Sequence, residues 1–255
     1  MNNNCFIPFK SAVDQSLVPS KLNDPFGLEP PEICKIAAKQ LQDFIQENQS
    51  NWKHNFGTSY NKADLARGKM FGLLVTRNSD NELGYICTFS GKIKDNPHPS
   101  IFVPSLFTSP TNDKLVNLGM AEIDQIGVQI KALETTSATD SEILKLKELR
   151  KTKSVSLQQK IFNCYKFLNI AGETLSLVDI FTNYSGKKPA AGAGECAAPK
   201  LLHYAFKNNL KPLAIAEFWW GEANKSNDRI HGEFYPACND KCRPILGFML
   251  ASRIQ

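Results

Sequence analysis

The stretch that most constrains this chain is an apolar run late in the sequence, Leu213-Ala214-Ile215-Ala216-Glu217-Phe218-Trp219-Trp220. It is short, rich in branched and aromatic side chains, entered by Lys211-Pro212 and left by Gly221. Such a run fits a strand buried on both faces better than a helix. Cysteines flank it on both sides. Upstream stands Gly192-Ala193-Gly194-Glu195-Cys196-Ala197-Ala198-Pro199-Lys200, where a flexible loop over 185–194 gives way to a helix using Ala197, Leu201, Tyr204 and Ala205. Downstream, after a polar loop over 221–232, stands Phe234-Tyr235-Pro236-Ala237-Cys238-Asn239-Asp240-Lys241-Cys242, which leads into a last helix through Ile245 and Leu250.

The remainder supplies further layers. Pro8, Pro19, Pro25 and Pro30 interrupt residues 1–30, which read as an extended arm lying over another part of the molecule. A helix is expected from Pro31, tolerated in a first turn, to about Asn48, with Ile33, Ile36, Ala37, Leu41, Phe44 and Ile45 on one face. Residues 49–68, with Trp52, His54 and Tyr60, are polar and irregular. Met70-Phe71-Gly72-Leu73-Leu74-Val75-Thr76 and Leu83-Gly84-Tyr85-Ile86-Cys87-Thr88-Phe89 surround Asn78-Ser79-Asp80-Asn81, the pattern of a β-hairpin whose first strand is central. Residues 94–112 read as loop. The fold class is therefore α/β, with 31–112 and 171–255 as two parts of one body.

Between those parts, residues 113–170 have another texture. Val116, Ile123 and Ile130 recur every seven residues with Ile126 and Leu133 at the complementary positions, a heptad seam in which Gly119 stands as a defect. Thr135-Thr136-Ser137-Ala138 interrupts the seam, Thr139 with Glu142 has the form of a capping box, and Leu157, Ile161, Cys164 and Leu168 make a second stripe. An antiparallel helical hairpin, inserted in the body and projecting from it, is expected. Its returning arm carries Lys145, Lys147, Arg150, Lys151, Lys153 and Lys160, either a solvated helix face or a surface for RNA phosphates.

Composition narrows the classes. The chain has 255 residues, 42% hydrophobic and 22% charged, which suits a water-soluble globular protein with a substantial core. No apolar run approaches the ~20 residues of a membrane helix. The start, Met1-Asn2-Asn3-Asn4-Cys5, lacks the basic and apolar regions of a signal peptide. Seven thinly spread cysteines fit a reducing compartment, so a cytoplasmic location is expected. The net charge of +5 is compatible with an anionic partner such as RNA without requiring one.

Chemistry concentrates around the cysteines. Cys196, Cys238 and Cys242, with His231 as fourth ligand, have the donor types of a closed structural zinc site. The alternative is three reduced thiols packed in the interior. Glu217, inside the apolar run, is expected to pair structurally with Lys200 or Arg229. His203 reads as a satisfied helix-face histidine, and Trp219 and Trp220 must point to opposite faces of their strand. There is no Gly-x-Gly-x-x-Gly opening a helix, no Walker loop and no Gly-x-Ser-x-Gly.

Two resemblances follow. The order helix, hairpin, helix from Glu195-Cys196, strand, and helix with Cys238 and Cys242 is similar to the zinc deaminase fold, a three-layer body of sheet and helices. There a His or Cys with Glu two residues on starts one helix and Pro-Cys-x-x-Cys starts the next; zinc activates water and the glutamate moves protons. Here the position two after Cys196 is Ala198, and three residues separate Cys238 from Cys242. The resemblance thus implies a non-catalytic relative, or a zinc-dependent hydrolase with Glu195 as shuttle.

Taken whole, the chain resembles the long N-terminal region of some bacterial RluA-type RNA pseudouridine synthases. The residues carrying this are 192–202, Leu210-Lys211-Pro212-Leu213, Ala216-Glu217-Phe218-Trp219-Trp220-Gly221, Phe234-Tyr235-Pro236-Ala237-Cys238, Lys241-Cys242, Pro244-Ile245-Leu246 and Gly68-Lys69-Met70-Phe71-Gly72. The resemblance implies a part in uridine isomerisation in ribosomal or transfer RNA, with a following catalytic domain or separate chain doing the chemistry. That domain's His-Arg-Leu-Asp aspartate has no counterpart here, since Arg-Leu-Asp does not occur. Substrate positioning is the implied role, whether in a truncated, split or free-standing protein. A protein-interaction module built on the coiled-coil arm is the remaining alternative.

Overall fold

The computed structural model describes residues 5–52, 54–58, 67–91, 93, 101–107, 110–135 and 139–251. Tyr60, residues 94–100 of the expected loop and the 136–138 interruption lie outside them. The described residues form six α-helices, a five-stranded antiparallel sheet and a two-stranded ribbon. No described helix is long and apolar enough to cross a membrane.

One compact unit gathers Met1–Ser105, Phe167–Leu175 and Gly192–Gln255. Its elements are β1 (Ile7–Pro8), α1 (Glu32–Asn48), β2 (Lys69–Arg77) and β3 (Leu83–Phe89). The other segments of the unit add most of the ribbon and the C-terminal elements described below. α1 starts after Pro31 and ends at Asn48, and buries Ile33, Ala37, Leu41 and Ile45. The β2–β3 hairpin holds the register Leu73↔Cys87 and Val75↔Tyr85, and six consecutive residues of β2 are buried, as a covered central strand requires.

The expectation of no regular element in residues 1–30 is corrected by β1, which pairs with β3 through Ile7↔Tyr85 and Pro8↔Gly84. Proline is acceptable there because β1 is an edge strand, whose outer side needs no N–H donor. The rest of the arm is also tied down. The Asn23 side chain accepts from Ile215 N–H and donates to Ile215 C=O at 2.8 and 3.1 Å, pairing with the backbone as a strand would.

The second unit comprises Leu106–Lys166 and Ser176–Ala191. It holds α2 (Pro110–Glu134) and α3 (Asp140–Cys164), so the loop expected through 112 gives way at Pro110, a residue suited to a first turn. The ribbon strands β4 (Lys166–Leu168) and β5 (Thr174–Ser176) follow, then α4 (Leu177–Ser185). Leu168 therefore belongs to a strand and not to the apolar stripe of α3. α4, not expected from the sequence pattern, is capped by Ser176, which accepts from Asp179 N–H, and closed by Gly186 at φ 67°.

α2 and α3 are antiparallel: Glu134 meets Lys147 near the turn, and Glu122 meets Lys153 farther along. Ile123, Ile126, Ile130 and Leu157 are buried in the seam. Gly119 is no defect. A Cβ there would stand 2.6 Å from Leu157 Cδ1, so the missing side chain is the socket for Leu157. Thr139 does cap α3, but its hydroxyl donates to Glu142 Oε2 at 3.2 Å and makes no bond to a helix N–H. α4 joins this unit, with Leu177 N–H donating to Tyr165 C=O, so the second unit extends beyond the expected insertion of 113–170.

Four elements complete the first unit: α5 (Ala197–Lys207), β6 (Lys211–Trp220), its neighbour β7 (Phe234–Tyr235), and α6 (Cys242–Leu250). The sheet order is β1-β3-β2-β6-β7. Strand alternation sends Phe71, Leu73, Val75, Ala214, Ala216, Phe218 and Trp220 into one core with α1. Each large side chain so buried contributes ~1.5–3 kcal/mol. On the opposite face α5 lies against β2, β3 and β6, and α6 packs beside α5. Gly72 makes that approach possible, because a Cβ there would fall 2.7 Å from Ala197 Cβ.

Candidate metal centre

Three cysteines meet where α5 and α6 begin. Cys196 is the N-cap of α5, reached through Gly192 and Gly194 at φ 76° and 95°, where other residues would be strained. Cys238 ends the segment after β7, and Cys242 opens α6, its N–H donating to Cys238 C=O at 3.2 Å. That turn brings the two sulfurs to 3.3 Å, and all three Sγ atoms lie within 4.8 Å of one another. Three thiolates at 2.3 Å from one tetrahedral ion would stand about 3.8 Å apart, so small side-chain rotations suffice to hold one. The cluster has the geometry and the donors to hold a metal ion.

Its electrostatics are those of a shared charge. Hydrogen bonding with Cys196 first, and then with Cys242, holds the Cys238 thiol far below the usual thiol range; the Lys241 and Cys242 N–H groups add to this. Cys196 is raised chiefly by its hydrogen bond to Cys238, and Cys242 is raised chiefly by its bond to Cys196. Mutual hydrogen bonding thus favours negative charge on Cys238 over the other two thiols.

Glu217 is where the structure departs most from expectation. It stands on the α5 face of β6, opposite Gly72 in register and 7% exposed. No described cation is within ion-pair distance of its carboxylate. Lys200, also buried, donates to Phe89 C=O at 2.5 Å and has Glu195 Oε2 at 3.9 Å, and Arg229 pairs with Asp228 and lies over the Tyr235 ring. The expected structural pairing is therefore not made. Glu217 Oε1 instead accepts from Ala198 N–H, an orphan donor in the first turn of α5, at 2.9 Å. Burial pushes its carboxyl up to about 7, opposed by that hydrogen bond. Its charge is felt at Cys196 and Cys242, and that of Cys238 at Glu217.

The other candidates separate from the cluster. His231 is not among the grouped ligands; its Nδ1 accepts from Gly221 N–H at 2.9 Å and its ring lies 4.3 Å from that of Trp220. A closed site with His231 is thus not formed in this conformation. Glu195, directly before Cys196, accepts from Ser105 Oγ at 2.5 Å through Oε1 and from Gly91 N–H at 2.9 Å through its backbone C=O, and its Oε2 stands 3.9 Å from Lys200 Nζ. His203 accepts from Leu168 N–H at 3.2 Å, the satisfied histidine expected, and burial lowers its pKa to about 4. Trp220 is buried and Trp219 is half-buried, on opposite faces.

On the hairpin, Lys145, Lys147, Arg150 and Lys151 are exposed and Lys153 is half-buried. Lys147 is paired with Glu134 at 2.8 Å, Lys151 with Glu148 at 3.9 Å and Lys153 with Glu122 at 2.5 Å. Glu217 was visible in the sequence as the one charge in an apolar run. Its role was missed because register and helix approach, not spacing, bring it to Ala198. No protein-family model, curated protein or solved structure matches the chain.

Proposed function

We propose that this chain is the substrate-positioning region of an RNA pseudouridine synthase acting on ribosomal or transfer RNA, built on a deaminase-like body whose three cysteines hold zinc. The observation that carries the reading is the meeting of Cys196, Cys238 and Cys242 at the starts of two helices on one face of a sheet. That arrangement, after a helix and a β-hairpin, is the element order in which the deaminase resemblance puts its metal. Three sulfur donors suit a borderline-soft ion such as zinc and leave one position for another ligand. Zinc bound there would cross-link the starts of α5 and α6 and polarise whatever took that position.

Lys145 and Arg150, which make no ion pair among the described residues, are the cations best placed to meet RNA phosphates. Lys147, Lys151 and Lys153 would first have to leave their carboxylates. Two measurements test the reading. Protein purified without added metal should carry about one zinc per chain, lost in Cys196→Ser and Cys238→Ser. RNA affinity should fall steeply with salt, and Lys145→Glu with Arg150→Glu should reduce the slope. Zinc-free folded protein, or salt-independent binding, would refute the corresponding half.

A zinc-dependent hydrolase of the deaminase type is the second reading, and Glu217 favours it. A buried carboxylate close enough to the sulfurs to couple to their charge is what such chemistry uses. Release of ammonia from nucleosides or RNA, abolished in Cys238→Ser, would select this reading over the first.

A further inference from the structure

Cys238 and Cys242 share one turn at the start of α6. Cys242 N–H donates to Cys238 C=O at 3.2 Å, which closes a single helical turn between them. Residues four apart across such a turn have Cα atoms about 6 Å apart, within the span of a disulfide. Their sulfurs stand at 3.3 Å, nearer than the about 3.8 Å that two thiolates take on one tetrahedral ion. A bond of about 2.05 Å needs only side-chain rotation from there. Cys196 is placed differently, as the N-cap of α5, and shares no turn with either. Access also ranks the three: Cys238 reaches the surface, Cys196 is half-buried and Cys242 is buried. A reagent arriving from solvent therefore meets Cys238 first, with Cys242 behind it. Lys241 and Arg243, against Asp240 alone, leave the turn with positive charge. Of the remaining cysteines, Cys5, Cys34 and Cys87 are buried and Cys164 lies in the second unit.

We infer that Cys238 and Cys242 form a thiol–disulfide modification site, whose reactant is an anionic low-molecular-weight disulfide such as glutathione disulfide. Cys238 gives up its proton and attacks one sulfur of the reagent. The reagent's S–S bond breaks and one glutathione thiolate leaves. Cys242 then gives up its proton and attacks Cys238 Sγ in the mixed disulfide, expelling the second glutathione. Two electrons pass from the chain to the reagent, and the two protons released by the cysteines end on the two glutathione thiols. Disulfides of this kind in a reducing compartment are transient and regulatory. The inference needs only the two sulfurs and does not rest on the metal reading. The two states exclude each other, because the disulfide removes two of the three thiolate donors and leaves Cys196 alone.

The test uses the full chain, as purified and after dialysis against a chelator, incubated with glutathione disulfide as the probe and then alkylated. Trypsin cuts after Lys241, between the two cysteines, so the disulfide shows as a reducible cross-link between peptides 230–241 and 242–253. Chelator-treated wild type should yield that cross-link in the majority of chains and lose it with excess dithiothreitol. Cys196→Ser should yield it as well. Cys242→Ser should stop at the mixed disulfide on Cys238, and Cys238→Ser should yield no cross-link. A wild-type chain that forms no cross-link, stops at the mixed disulfide, or joins Cys196 in place of Cys242 would overturn the inference. None of those three outcomes depends on a variant that folds. Cross-linking at the same rate in as-purified and chelator-treated chain would overturn the metal reading alone and leave the disulfide standing.

Discussion

The α2–α3 hairpin and the cysteine-bearing face of the sheet both use a glycine to bring two elements close, and the two glycines differ in what they protect. Gly119 makes room for one leucine, whose flexible side chain can move if the room is lost. Gly72 makes room for the backbone start of α5, and with it the placement of Cys196 and the hydrogen bond from Ala198 to Glu217. The hairpin is held by a repeated local pattern that tolerates single errors. The cysteine face is held by a few long-range contacts, each of which positions a reactive group. Robust packing and precise placement are thus divided between two units of one chain.

The largest expected effect falls on the cysteine face. If the cluster is loaded as proposed, metal at about a thousandfold over its dissociation constant would add ~4 kcal/mol, and a chelator should then lower the melting temperature markedly. Hydrogen exchange in α2 and α3 should be unchanged by the chelator. Loss of protection in both units together would break the comparison. Next, Leu157→Ala should cost about 2–3 kcal/mol in denaturant melts, because Gly119 leaves nothing to refill the socket.

Gly72→Ala should cost about 1–3 kcal/mol and also reduce metal uptake, whereas Gly119→Ala should destabilise without touching metal content. Equal effects on metal uptake would show that the two glycines do the same work. Gly127→Ala is the control. Its Cβ would meet nothing closer than Arg150 Nε at 4.0 Å, so the helix should gain up to about 1 kcal/mol.

The pH dependence should separate two buried groups of opposite sign. His203 falls from 6.5 to about 4 because burial disfavours its charge. Its contribution is full above pH 6.5 and is lost as the pH falls toward 4, a change on the order of 1–3 kcal/mol. Glu217 rises from 4.5 to about 7 in metal-free protein, so its contribution is full below pH 4.5 and is lost as the pH rises through 7. Urea melts should show His203→Gln flattening the first dependence and Glu217→Gln the second. The smallest effect belongs to the surface pairs. Glu122→Gln, which breaks the pair with Lys153, should change stability by less than about 1 kcal/mol, and less still in high salt.

Much of this was legible beforehand because it is local. The period of seven over Val116, Ile123 and Ile130 fixes the seam of α2, and Pro31 with the stripe from Ile33 to Ile45 fixes α1. β6 followed from its apolar run and its Lys-Pro and Gly borders, and the two cysteine-bearing helix starts from the strings around them. Other features were hidden. β1 contains a proline, α4 is short enough for its nine residues to show no clear period, and Gly119 resembled an interruption because its partner lies thirty-eight residues away in the returning helix.

What the sequence by itself determined is which residues prefer helix, strand or turn, because those preferences act over a few residues. It also placed three thiols at helix starts. Only the tertiary structure decided that the three sulfurs meet, that His231 stands apart and that the Glu217 carboxylate is bonded by Ala198 N–H. Those outcomes depend on the register of β2 against β6 and on how closely α5 can approach Gly72. They are set by pairings between residues far apart in the chain, where no local pattern reaches.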